Sequence, residues 1–192
     1  MFLVFLMILR IILIILYILS SLEQESTFLD IGAYTGDTIR KYYDYTQNKF
    51  KYIWAIEGQK DSYSKLLQTI DELKISDDRI SAFDSILWSE PTQLSIDSRT
   101  GSIEDAEVSS DNNGECVDAT TVDQLLEERS KKVNLLKINF PGAQEVLKGS
   151  KRVISEDKPL IAIVVGWGPY DVYEIPEIIR SFEPHYQLYL DA

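Results

Sequence analysis

The chain has very few of the residues that build disulfides, zinc sites and histidine-based catalysis. Its 192 residues include one cysteine, Cys116, and one histidine, His185. A single cysteine excludes an internal disulfide and a cysteine-based zinc cage, and one histidine cannot form a histidine cluster. We therefore expect no metal centre in this chain.

Basic charge is also scarce. Lysine and arginine number 19 against 31 aspartates and glutamates, which gives a net charge of −12 and a pI near 4.5. A nucleic acid would need a basic surface to meet its phosphates, and the basic residues here are scattered along the sequence. The composition therefore predicts no nucleic-acid partner.

Charge is almost absent from the first 22 residues. Between Met1 and Leu19 the one charged residue is Arg10, and nearly all the others are Leu, Ile, Phe, Val or Met. A helix of this length reaches close to the ~30 Å of a bilayer core. We expect residues 1–22 to form a transmembrane or signal-anchor helix that binds the chain to a membrane. A cleaved signal peptide is the alternative, although the apolar run is long for one and has a basic residue inside it.

A full dinucleotide-binding pattern is missing too. An apolar run ends at Asp30, and the loop after it holds Gly32 and Gly36 with three residues between them, where a dinucleotide fingerprint reads G-x-G-x-x-G. Glycines at these positions let the backbone turn tightly and approach a ligand. The pattern is still typical of the first strand, loop and helix of a nucleotide-binding βαβ unit.

A second apolar run ends in Glu57, which lies 21 residues after Gly36. A carboxylate at this distance can accept hydrogen bonds from the ribose hydroxyls of an adenosine. Acidic residues around the loop suit a cationic sulfonium with an amino group better than a diphosphate, so we expect S-adenosylmethionine as the cofactor. An NAD-dependent oxidoreductase is the weaker alternative.

Three parts of this cofactor are assigned to residues. Asp84, at the end of the third predicted strand, is placed to meet the adenine amino group, although a turn aspartate would look the same. Glu57 is assigned to the ribose and the loop to the amino acid part. The predicted cofactor-binding residues are Asp30, Gly32, Ala33, Tyr34, Gly36, Glu57 and Asp84.

Two later segments carry a more specific signal. Residues 116–126 contain Thr121-Val122-Asp123, and residues 134–149 read N-L-L-K-I-N-F-P-G-A-Q-E-V-L-K-G. With the loop at residues 30–36, their order and spacing resemble the signatures of the FkbM family of S-adenosylmethionine-dependent methyltransferases, over roughly residues 27–190.

This resemblance implies a fold and a reaction. The fold is a doubly wound α/β domain with a mostly parallel sheet, of the Rossmann-like class I methyltransferase type, preceded here by the apolar helix. The reaction is methyl transfer, usually to an oxygen of a glycan or another small metabolite. Family members continue with a further strand, so we expect the domain at residues 23–192 to be truncated at its C-terminus. Because the cofactor is cytosolic, the membrane-anchored domain is expected to face the cytoplasm.

The family pattern L-K-I-D-x-E-G-A-E differs from this chain at three carboxylates. Asn139, Pro141 and Gln144 stand in their places. An asparagine can orient a hydroxyl but cannot act as a general base at neutral pH. We take Asn139 and Lys137 as candidate catalytic residues. The alternative is a non-catalytic protein that binds the cofactor and has lost the chemistry.

Strand and helix patterns alternate along the rest of the chain. Helices are predicted at residues 37–45, 61–73, 121–129, 142–154 and 175–182, and strands from residue 27 and at 51–57, 79–83, 135–140, 160–167 and 186–190. Residues 89–114 are polar and turn-rich, with short strand candidates at 92–96 and 115–119, and we expect a mobile specificity loop there. Trp167 and Tyr170 are candidates for lining the acceptor site, with core packing as the alternative.

Overall fold

The structure, a computed structural model, describes residues 2–7, 26–96 and 115–191, in which strands and helices alternate. The strands are β1 (Phe2–Met7), β2 (Thr27–Ile31), β3 (Tyr52–Glu57), β4 (Ile80–Asp84), β5 (Ile86–Leu87), β6 (Thr92–Ile96), β7 (Glu115–Thr120), β8 (Leu135–Ile138), β9 (Leu160–Val164) and β10 (Tyr186–Asp191). The helices are α1 (Asp37–Thr46), α2 (Lys60–Leu73), α3 (Val122–Leu125), α4 (Ala143–Lys148), α5 (Lys151–Asp157) and α6 (Asp171–Phe182).

The main sheet has seven strands in the order β10-β1-β9-β8-β2-β3-β4, and all neighbouring strands are parallel. The chain runs outward from β2 through β3 to β4 and then returns to β8 on the other side of β2. Every residue of β2 and β8 is buried, as expected for parallel strands covered on both faces. The predicted doubly wound α/β fold is therefore confirmed, and its ligand crevice is expected where the strand order reverses, at the carboxyl ends of β2 and β8.

The core lies on both faces of this sheet. On one face α1 places Ile39 and Tyr42 against β2, and the Tyr42 ring lies 4.8 Å from that of Phe28 between centroids. The Tyr42 hydroxyl is satisfied by the Ser26 hydroxyl at 2.6 Å. Burial of each such side chain stabilises the fold by about 1.5–3 kcal/mol. This packing holds β2, and with it the loop that follows, in a fixed position.

A smaller sheet has three strands in the order β5-β7-β6. Strand β7 lies in the middle and pairs with β5 in parallel and with β6 in antiparallel orientation. Both short strands predicted around the polar segment are confirmed as β6 and β7. The two strands pair directly, with Leu94 opposite Val117. Residues 97–114, the centre of the predicted specificity loop, lie outside the described residues.

The predicted membrane helix is wrong. Residues Phe2–Met7 form β1, which pairs in parallel with both β9 and β10, and no helix in the described ranges is long and apolar enough to cross a membrane. The six apolar residues of β1 fit a buried parallel strand as well as a helix. Apolarity alone therefore misled the prediction. The membrane-anchored localisation is corrected with it. The remainder of the predicted anchor, residue 1 and residues 8–22, lies outside the described residues.

Three predicted helices differ from the structure by more than one residue in their bounds. The one predicted at 142–154 is two helices, α4 and α5, which meet at Gly149. A Cβ on Gly149 would lie 2.1 Å from the Trp88 carbonyl oxygen, so the chain passes too close to β5 for a larger residue to fit. Helix α3 ends at Leu125, four residues early, and its start is capped by the Thr121 hydroxyl, which accepts the Gln124 N–H at 3.0 Å. Helix α6 begins at Asp171 and contains Pro176 in its interior.

Candidate active site

The loop after β2 folds across the end of β3. The N–H groups of Gly32 and Ala33 both donate to the Ile56 carbonyl at 3.0 Å. Gly32, Tyr34 and Gly36 have positive φ angles of 71°, 52° and 83°. A Cβ on Gly32 would lie 2.2 Å from the Asn139 backbone oxygen, so only glycine fits there. The loop thus lies directly against the segment that follows β8.

Glu57 ties the end of β3 to this loop. Its Oε2 accepts the Tyr34 N–H and its Oε1 accepts the Gln59 N–H, each at 2.8 Å. The side chain is only 7% exposed. Tyr34 is a non-glycine residue in the left-handed region, a conformation that costs about 1–2 kcal/mol, and the bond to Glu57 helps to offset that cost. Each carboxylate oxygen keeps a further lone pair with which to accept a ligand hydroxyl.

A buried ion pair lies beneath the loop. Lys137 donates from Nζ to Asp30 Oδ1 at 2.7 Å and to the Gly32 carbonyl at 2.6 Å. The side chains are 1% and 0% exposed. Burial raises the pKa of Asp30 to about 6, against the opposing effect of the Lys137 ammonium. Asp30 Oδ2 is buried and has no hydrogen-bond partner within the described part of the chain.

A small, partly open pocket lies beside Gly32 and Glu57 at the carboxyl ends of β2 and β3. Its walls are mostly apolar and come from five separate places in the chain. They are Ile31, Gly32, Ile56, Glu57, Gly58, Ser85, Ile86, Leu87, Phe140 and Val146. Asp84 lies at the exposed end of β4 and is not one of these residues, whereas its neighbour Ser85 is. The cavity combines an apolar wall with one buried carboxylate at its edge.

The residues that follow β8 and β9 form the other side of this edge. The Asn139 N–H extends the strand pairing by donating to the Ile31 carbonyl at 3.0 Å. Gln144 on α4 donates from Nε2 to Asp171 Oδ1 at 3.0 Å. Trp167 and Tyr170, in the turn before α6, are 43% and 63% exposed. Their exposure rules out the core-packing alternative.

Among residues 2–7, 26–96 and 115–191 no group of three or more His, Cys, Asp or Glu side chains is arranged to hold a metal ion.

The family model for the methyltransferase FkbM domain matches residues 30–188, which is most of the chain. The chain belongs to the FkbM methyltransferase family. The resemblance in the sequence motifs is thereby confirmed, and membership supports a methyltransferase function.

The fold of this FkbM domain is similar to that of a solved structure, methyltransferase FkbM from Methylobacillus flagellatus KT. The TM-score is 0.70 and the sequence identity is 20%, so the likeness concerns the fold alone. The alignment covers 88% of this chain and 40% of the other, so the chain spans less than half of that protein's length. No curated protein matches the chain.

The FkbM domain brings together most of the residues predicted from sequence. The Gly32–Gly36 loop and Glu57 meet at one edge of the sheet, and Asp30 and Lys137 pair beneath them. Lys137 donates one hydrogen bond to β2 and one to the loop that follows it. This arrangement suits support of the loop better than contact with a methyl-acceptor substrate. Asp171 was missed, although an acid after the Gly166–Pro169 turn is a sequence signal for a capping carboxylate.

Proposed function

We propose that the chain is an S-adenosylmethionine-dependent methyltransferase that methylates a hydroxyl group of a glycan or another small metabolite. The observation that carries the proposal is the crevice at the carboxyl ends of β2 and β3. It combines a glycine loop, a buried carboxylate without a second partner and an apolar cavity bordered by Glu57.

The residues present fit this cofactor. The unpartnered Asp30 Oδ2 and the loop from Gly32 to Gly36 provide negative charge and backbone groups for the amino acid part. Glu57 has lone pairs left for ribose hydroxyls, and the apolar wall with Ile86 and Leu87 suits a flat base. The assignment of Asp84 to the adenine stays a prediction, and Ser85 is a second candidate because it lines the cavity. When bound, S-adenosylmethionine supplies an electrophilic methyl group on a sulfonium.

The contribution of the chain to the reaction is mainly positional. Asn139 can hydrogen-bond an acceptor hydroxyl and orient it, but it cannot remove the proton. Placing the acceptor oxygen next to the methyl group accounts for much of the rate of such a transfer, because two bound reactants no longer have to meet by diffusion. The hydroxyl proton then leaves to solvent after transfer. We therefore expect slow turnover in comparison with a site that has a general base.

Isothermal titration with S-adenosylmethionine and with its demethylated product tests cofactor binding. Heat is expected with both for the native chain, and none with Gly32→Ala, because the added Cβ meets the Asn139 oxygen. Gly166→Ala is the matched control: Gly166 also has a positive φ, of 107°, but no atom within 4 Å of its Cβ position. Absence of heat with either compound in the native chain would contradict the proposal.

The second candidate function is a non-catalytic protein that binds the cofactor. It is motivated by Asn139 and Pro141, since neither can take up a proton. It predicts heat in the same titration but no transfer of a labelled methyl group to any hydroxyl acceptor. An NAD-dependent oxidoreductase predicts a change in NADH fluorescence on mixing, and the two-glycine loop argues against it.

A further inference from the structure

The turn between β9 and α6 is held by one buried carboxylate. Asp171 is 3% exposed, and its Oδ2 accepts the N–H groups of Gly166 at 3.1 Å and Gly168 at 2.8 Å. A Cβ on Gly168 would lie 2.7 Å from Asp171 Oδ1, so the turn wraps closely around this side chain. The turn has no regular secondary structure, and these bonds fix its shape.

The remaining oxygen of this carboxylate is occupied by Gln144. Its Nε2 donates to Asp171 Oδ1 at 3.0 Å from α4, which begins a few residues after Asn139. A carboxylate accepts hydrogen bonds and cannot donate them, so the partner at position 144 must be a donor. A glutamate at 144 would place two negative charges about 3 Å apart in a half-buried position, and like charges at such distances repel.

We propose that Gln144 and Asp171 form a positioning pair that fixes the 165–170 turn relative to the segment after β8. On this interpretation the amide at position 144 is a requirement of this chain and not a lost catalytic group. The pair joins Asn139's segment to the turn that presents Trp167 and Tyr170. Its relevance to the acceptor rests on the proposed function, but the pair itself does not.

A four-variant cycle tests the pair through melting temperature. Gln144→Glu is expected to lower it by about 5–10 °C, since a part-buried hydrogen bond becomes a like-charge contact. Asp171→Asn is expected to lower it by less than about 3 °C. The new amide can keep its oxygen on the Gly166 and Gly168 N–H groups and donate from its NH2 to the Gln144 oxygen once the Gln144 amide turns. The double variant reverses donor and acceptor, so it is expected to melt close to Asp171→Asn. Glu145→Gln, the matched control on the same helix, should change the value by less than about 2 °C.

A local measurement separates positioning of the turn from general stability. The chain has three tryptophans, Trp54, Trp88 and Trp167, and 5-fluorotryptophan gives each a separate fluorine NMR signal that single Trp→Phe variants assign. Gln144→Glu is expected to shift or broaden the Trp167 signal and leave that of Trp54 unchanged. The double variant should restore it.

Two results would overturn the proposal. One is a Gln144→Glu variant that matches Glu145→Gln in both melting temperature and Trp167 signal. The other is a double variant as unstable as Gln144→Glu. If Gln144→Glu does not fold, the double variant decides: a folded protein with the native Trp167 signal supports the pair, and an unfolded one contradicts it. Cofactor titration of the same variants is a separate readout, so failure of the proposed function would not be mistaken for failure of the pair.

Discussion

The two sides of the carboxyl edge of the sheet are built from different chemistry. Around β2 and β3 the polar groups are buried charges bound to backbone and to each other: Glu57 on two N–H groups, and Lys137 on Asp30 and a carbonyl. In the segments that follow β8 and β9 the described groups are amides, one satisfied carboxylate and exposed aromatic rings. The first side is organised to hold a polar ligand, whereas the second can orient an acceptor but has few groups able to move a proton.

The largest expected effect comes from breaking the charge pair of the first side. Lys137→Met leaves the Asp30 carboxyl buried without its ammonium partner and is expected to lower the free energy of unfolding by about 3–5 kcal/mol. Denaturant unfolding measures it. The exposed Lys65→Met on α2 is the control, with an expected change within about 0.5 kcal/mol.

A double variant sharpens this test. Asp30→Asn together with Lys137→Met removes both charges, so it is expected to be more stable than Lys137→Met alone. Equal losses for Lys137→Met and Lys65→Met would show that the loop does not depend on the ion pair.

Much of the first side could be predicted from sequence because its signals are local. The strand, the glycine loop and Glu57 lie within about thirty residues of one another, and their spacing is set by one βαβ unit. The alternating strands and helices after Leu135 could be predicted from apolar periodicity in the same way. These are patterns that a chain carries in short windows.

The second side and the amino terminus could not be predicted in this way because they depend on distant contacts. Gln144 and Asp171 meet across 27 positions, and nothing near Gln144 in sequence shows that its partner is an acid. The split between α4 and α5 depends on the approach of Gly149 to Trp88. The apolar residues 2–7 fit a strand or a helix. They form a strand because they pair with both β9 and β10 in the sheet, and those partners lie far away in sequence.

The second prediction concerns the carboxylate that closes the loop. Glu57→Gln replaces one acceptor oxygen by a donor. The backbone N–H of either Tyr34 or Gln59 therefore loses its hydrogen-bond acceptor. We expect unfolding free energy and cofactor affinity each to fall by about 1–3 kcal/mol. Calorimetric unfolding and titration measure the two losses. Glu72→Gln, at an exposed ion pair with Arg40, should change the first by less than about 1 kcal/mol.

The outcome separates two roles for Glu57. Loss of affinity without loss of stability would assign it to the ligand alone. Loss of stability with unchanged affinity would make it a loop support only, and the comparison between the two sides would then rest on Asp30.

The smallest expected effect is at a carboxylate far from both sides, at the end of α6. Glu183 accepts hydrogen bonds from Lys158 Nζ at 2.5 Å and from His185 Nδ1 at 2.7 Å, and these contacts lower the pKa of Glu183 to about 2. A carboxyl whose pKa is lower in the folded state stabilises the fold above its ordinary pKa of 4.5, and this contribution is lost as the pH falls toward 2. Asp30 has the opposite shift, since burial raises its pKa to about 6, so its ionisation opposes folding as the pH rises toward that value. Glu183→Gln is therefore expected to melt slightly below the native chain at pH 7 and to approach it as the pH falls from 4.5 toward 2, as followed by thermal melts across that range. A difference that stays constant with pH would mean that the contacts of Glu183 do not depend on its charge.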